Sequence, residues 1–164
     1  MPATLFAAEY LSLFEVEVGK AFSRPNALLN KDTNRPTTQF RVPNHGASAT
    51  LFPEYTISYL NKSNKVAIVT AEKAARNWNQ CGVLKEKAAK LATEAFPNYK
   101  NTPKELSQFK SGDEHSHNES GTYYVLRCEG TYGPFVYLHF QVRSKSQDIE
   151  LKAAWDEFFK TKNR

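Results

Sequence analysis

Two stretches near the end of the chain, TYYVLRCE at 122–129 and FVYLHFQV at 135–142, repeat apolar side chains at every second position, and GTYGP separates them. Side chains on a strand point alternately to opposite faces. Tyr124, Leu126 and Cys128 therefore share one face, as do Val136, Leu138, Phe140 and Val142. Two such runs joined by a Gly/Pro turn predict an antiparallel hairpin. Its apolar face has to be covered. Its other face holds Tyr123, Val125 and Arg127 on one strand and Phe135, Tyr137, His139 and Gln141 on the other.

The first half of the chain also reads as strands. SLFEVEV at 12–18 puts Phe14, Val16 and Val18 inward and Glu15 and Glu17 outward, and Gly19 stops it. The Pro- and Asn-rich stretch SRPNALLNKDTNRP reads as a loop. TQFRV at 38–42 is a short strand. SATLFPEYTISYL at 48–60 is a longer one interrupted by Pro53, with Tyr55, Ile57 and Tyr59 on one face. The turn NKSN leads into KVAIVT at 65–70 as its hairpin partner. The period then changes. From Ala71 to Phe96 the apolar positions Ala74, Trp78, Cys81, Leu84, Ala88, Leu91, Ala92 and Ala95 fall three and four apart, which predicts an amphipathic helix. Thr70 is its expected N-cap and Pro97 its stop. Residues 97–121 read as a polar loop, with a short helical turn around 104–109. A last helix spans about 146–160 with Leu151, Ala154, Trp155, Phe158 and Phe159 as its stripe, and Ser144 with Gln147 suits a capping box.

Strands that come in hairpins, with no strand–helix–strand alternation, imply an α+β fold: an antiparallel sheet of about six strands with two main helices packed on one face. The 164 residues make one domain, 1–164. A chain of this size buries about 70% of its unfolded surface, so it needs neither metal nor disulfide to build a core. No apolar run reaches the roughly 18 residues that a membrane span requires. No charged segment followed by an apolar core marks a secretory signal, and MPATLFAAEY equally suits a mature chain carrying an added Met.

The net charge of +5 is unevenly placed: residues 62–110 hold ten Lys/Arg against four Asp/Glu, while the segments on either side are close to neutral. The expected helix carries much of this excess, with Lys73, Arg76, Lys87 and Lys90 on its polar face. Such a patch steers an acidic partner, and it is equally an ordinary solvated helix face.

Cys81 lies on the apolar face of the helix and Cys128 on the core face of its strand. If helix and sheet pack together, the two meet. A bridge between them would add roughly 4 kcal/mol in the chain-entropy model and would place the protein in the periplasm or outside the cell. Two buried free thiols would suit the cytoplasm. SGDEHSHNES at 111–120 crowds Asp113, Glu114, His115, His117 and Glu119 together. His115 and His117, at i and i+2, share a face only on a strand. The Ser, Gly and Asn around them favour a loop. No third His or Cys completes a zinc motif. No nucleophile elbow, phosphate loop or dinucleotide fingerprint occurs, so no cofactor is implied.

FEVEVGKAF at 14–22 resembles the strand–Gly–Lys–small–Phe opening of small exported bacterial proteins of uncharacterised role, and LATEAFPNY at 91–99, with a Cys midway along the helix, extends the similarity over about 40 residues. The resemblance implies export and no activity. Small α+β proteins of this kind include immunity proteins and enzyme inhibitors. The expectation is a non-enzymatic domain that binds a partner protein through Tyr123, Arg127, Tyr137 and His139, with Lys73, Arg76, Lys87 and Lys90 as a second patch. Two alternatives stand beside it. One is a metal-dependent hydrolase using the 113–119 cluster, with His115 and His117 as weak ligands. The other is a nucleic-acid-binding domain using the basic helix.

Overall fold

A computed structural model describes residues 14, 16–21, 34–103, 110–117, 120–130 and 134–163. Its elements run β1 (Thr37–Pro43), β2 (Glu54–Leu60), β3 (Val66–Ala75), α1 (Trp78–Ala95), β4 (Lys100–Pro103), β5 (Lys110–Ser116), β6 (Thr122–Gly130), β7 (Val136–Ser144) and α2 (Lys145–Lys162). The strands form one seven-stranded sheet in the order β1-β2-β3-β7-β6-β5-β4, with every neighbouring pair antiparallel. The fold is α+β, as the hairpin pattern implies, with seven strands in place of about six.

The hairpin from which the reading began is the centre of the sheet. Leu126 faces Phe140 and Cys128 faces Leu138 across β6 and β7, and all four are buried. Phe140 gathers the core around it: its ring centroid lies 5.2 Å from Phe14, 6.1 Å from Phe52 and 5.5 Å from Tyr124. α1 covers the same face with small residues, Cys81, Ala88 and Ala92, which let a helix approach a sheet closely. Cys81 and Cys128 form a disulfide with Cα atoms 6.1 Å apart. The helix ends at Phe96, whose N–H donates to the Ala92 carbonyl, directly before Pro97. At the other end of α1, the Trp78 indole lies over Gly130; a Cβ there would sit 2.9 Å from Trp78 Cζ2.

The structure corrects the sequence reading at four places. The helix does not start at Ala71. β3 continues to Ala75, because its ladder with β7 runs on to the pair Ala75 and Val136, and ladder bonds outweigh the helix propensity of an Ala-rich run. α1 starts after Asn77, whose side chain accepts from the Gln80 N–H at 2.8 Å, while Gln80 Oε1 accepts from the Arg76 N–H at 2.6 Å. The polar stretch 97–121 is not a loop throughout. It holds β4 and β5, and β5 pairs with β6 from Lys110 to Ser116. The helical turn expected at 104–109 lies outside the described residues.

The long strand expected at 48–60 starts only at Glu54, after Pro53. Before it, a turn closed by the Phe52 N–H on the Ser48 carbonyl at 2.8 Å drops Phe52 into the core. Finally, the described part of 12–18 joins no ladder. Phe14 and Val18 are buried as expected, but the chain turns at Gly19, with φ at +88°, and meets the sheet through one bridge, Ala21 to Lys65. Glu15 lies outside the described residues.

Candidate binding face

The face of the sheet opposite α1 collects the alternate residues of β3, β7 and β6. Arg127 pairs with His139 and His139 with Glu72, which sets three charged or titratable side chains in one row. They are joined. His139 Nδ1 donates to Glu72 Oε1 at 2.9 Å. Its Nε2 lies 3.8 Å from Glu129 Oε2, which also accepts from Arg127 Nε at 3.1 Å. Burial lowers the pKa of His139 from its usual value; Glu72 pulls it up and Arg127 pushes it down. The Nδ1–H bond to Glu72 orients the ring. Tyr137 stands one row further, opposite Glu129, with its ring centroid 6.3 Å from that of His139. Arg127 fits here because its neighbour on β5 is Gly112: a Cβ at Gly112 would come within 2.5 Å of Arg127 Cβ.

A second cluster lies about 13 Å along the same strands, four residues from the Arg127–His139 pair at roughly 3.3 Å each. Tyr123 is opposite Arg143. The Tyr123 hydroxyl donates to Asp148 Oδ2, and Arg143 donates to Asp148 Oδ1 through Nε at 2.9 Å and Nη2 at 2.8 Å. Burial, then the bond to Asp148, push the Tyr123 hydroxyl pKa upward. Asp148 occupies the first turn of α2, where the helix dipole favours an acidic side chain. This bond set fastens α2 to the face. Further out, Arg41, Thr56, Thr70, Glu72, Ala74 and Tyr137 line a shallow groove of about 220 Å³.

The structure thus brings together Tyr123, Arg127, Tyr137 and His139 on one face, all partly exposed. It does not bring together the basic patch. Lys73 is on β3, opposite Leu138, and so on the α1-covered side of the sheet. Arg76 precedes α1 in the turn. Only Lys87 and Lys90 remain on the outer surface of the helix, beside the exposed Glu86 and Glu94. The basic helix face expected from the sequence is therefore split, because Lys73 belongs to a strand read as helix and Arg76 to the turn before α1.

The 113–119 cluster is dispersed as well. On β5, Asp113 and His115 point to the α1 side and Glu114 to the opposite face, following the register Asp113 to Leu126 and His115 to Tyr124. Asp113 accepts from Lys85 Nζ at 3.3 Å. His115 stacks on Tyr124, with centroids 4.6 Å apart, and burial lowers its pKa against the opposing pull of Asp113. His117 is buried and its Nδ1 accepts from the Ser120 N–H at 3.1 Å. Glu119 lies outside the described residues. Among the described residues no three His, Cys, Asp or Glu side chains gather so as to hold a metal.

Sequence reasoning missed the carboxylates that organise the face. Glu129 was accessible to it, since it lies two positions from Arg127 on the same strand face. Glu72 falls inside the Ala71–Phe96 stretch read as helix but lies on β3, and Asp148 meets Tyr123 only through the tertiary fold. No helix is long and apolar enough to cross a membrane among the described residues. Comparison with family models, curated proteins and solved structures finds no match to this chain.

Proposed function

We propose that this protein is a non-enzymatic binding domain that recognises a partner protein through the face carrying Tyr123, Arg127, Tyr137 and His139, in the manner of an inhibitor or immunity protein. The observation that carries this reading is the internal bracing of that face. Arg127 and His139 are held by Glu129 and Glu72, and Tyr123 is held by Asp148. Side chains already held in one arrangement lose less entropy when a partner docks, and Tyr and Arg are the residues that most often carry interface energy. β6 and β7 lie inside the sheet, so a partner meets side chains and not an open strand edge.

The face is nearly charge-balanced. Arg41, Arg127 and Arg143 each sit against a carboxylate, of Glu54, Glu129 and Asp148. That balance argues against a phosphate backbone as the ligand and against strong steering of an acidic partner, so association should depend only weakly on salt. Lys87 and Lys90, flanked by glutamates, offer little to nucleic acid. The Cys81–Cys128 bridge is of a kind that persists in oxidising compartments, which supports a periplasmic or secreted setting.

The test is a quantitative capture from nuclease-treated extract and medium of the native host. Native bait should enrich a protein that an Arg127→Ala/Tyr137→Ala double variant, shown by circular dichroism to be folded, fails to enrich. Equal enrichment by both baits removes this face. Enrichment that disappears with nuclease moves the reading to nucleic acid.

A further inference from the structure

A second cavity, of about 450 Å³, opens at the end of the sheet where α2 begins, away from the Arg127–Tyr137 row. Its volume is in the usual range for small-molecule sites. Gln147, Ser144, Ser146 and Thr122 line it together with Glu17, Lys20 and Lys65. Three of these polar side chains are buried: Gln147 is 4% exposed, Ser144 7% and Thr122 8%. Ser144 caps α2, accepting from the Gln147 N–H at 3.2 Å. The reciprocal half of a capping box is not made: among the described residues Gln147 Oε1 is buried with no hydrogen-bond partner. A buried polar group left unpaired is costly, and native proteins seldom keep one without a reason.

We propose that this cavity binds a small neutral polyhydroxylated molecule, of the saccharide class, with the Gln147 carboxamide as its central contact. The N-terminus of an 18-residue helix and the nearby hydroxyls could equally suit an anion. The acceptors in the site decide between them. Of the two lysines, Lys65 pairs with Glu150 at 3.7 Å and the Glu17 carboxylate offsets Lys20, while the buried Gln147 Oε1 requires a donor, which a fully ionised anion does not bring. A polyol brings hydroxyls that donate and accept at once, as the Ser and Thr hydroxyls of the lining do.

The experiment is a titration of the full-length, disulfide-intact, ¹⁵N-labelled chain with glucose, N-acetylglucosamine and cellobiose in turn, and separately with inorganic phosphate. It is read at the Gln147 side-chain amide and at the backbone amides of Gly19 and Ser146. At least one saccharide should produce saturable shifts at these positions. Gln147→Met should weaken that binding about tenfold or more while thermal stability stays the same or rises, since an unpaired polar group is replaced by an apolar one of similar shape. Ser146→Trp, at an exposed position on the rim, should block binding with the fold intact. Saturable shifts with phosphate and none with saccharides overturn the assigned class. No saturable shift with any probe, or saccharide binding unchanged in both variants, overturns the site.

Discussion

α1 and α2 are equally long, 18 residues each, and they relate to the sheet in different ways. α1 buries Cys81, Ala88 and Ala92 against β6, β7 and β3 and is tied down by the disulfide. α2 buries only Gln147. It is fastened at its first turn, by Asp148 to Tyr123 and Arg143, while Ile149 stays 71% exposed and Phe159 55% exposed. Its aromatic side chains pack mainly on one another: the Trp155 ring lies 5.5 Å from Phe158 and 5.6 Å from Phe159. The contrast follows from side-chain size. A row of small residues lets α1 settle onto the pleated surface along its length. Trp and Phe hold a helix away from such a surface unless a groove receives them.

That contrast can be broken from either side. The largest effect should come from α1. Replacing both Cys81 and Cys128 by Ser should cost roughly 4 kcal/mol, read as a lower midpoint in guanidinium unfolding; a midpoint unchanged from native would mean that the bridge does not restrain α1. Asp148→Ala should cost less, about 1–3 kcal/mol, because it strips a charged partner from Tyr123 and Arg143 together. Hydrogen exchange should then quicken along α2 and stay unchanged in α1. Quickening in both helices would show that they unfold as one unit.

A smaller effect concerns the braced face that Asp148 borders. The folded pKa of His139 is depressed below its ordinary value, as is that of His115. The unfolded chain therefore takes up protons first as pH falls through about 6.5. Stability contributed by these groups is complete above that pH and is lost as pH drops toward their folded pKa values. His139→Gln should flatten the fall in unfolding midpoint between about pH 7 and pH 5, leaving the part due to His115. An unaltered slope would assign the whole effect elsewhere. The smallest change belongs to the far side of α2: Ile149→Ser should alter stability by no more than about 0.5 kcal/mol. A loss several times larger would mean that this residue is covered in solution.

Much of this was legible from local pattern. The alternation of β6 and β7, the stop of α1 before Pro97 and the shared side of Cys81 and Cys128 all follow from periods of two and of about 3.6 in residues that must bury an apolar face. The four proposed contact residues Tyr123, Arg127, Tyr137 and His139 fell on the opposite face for the same reason. The start of α1 was also written in the chain, in the Asn77 and Gln80 capping pair, but the Ala-rich end of β3 masked it. What only the tertiary structure decided is of another kind. β5 carries charged and small residues, from Lys110 to Ser116, and is a strand because β6 offers it a ladder. The bracing of Arg127, His139 and Tyr123 needs Glu72 and Asp148, which come from β3 and α2. Strand pairing and ion pairing join residues far apart in sequence, and a period read along one segment holds no record of which other segment will lie beside it.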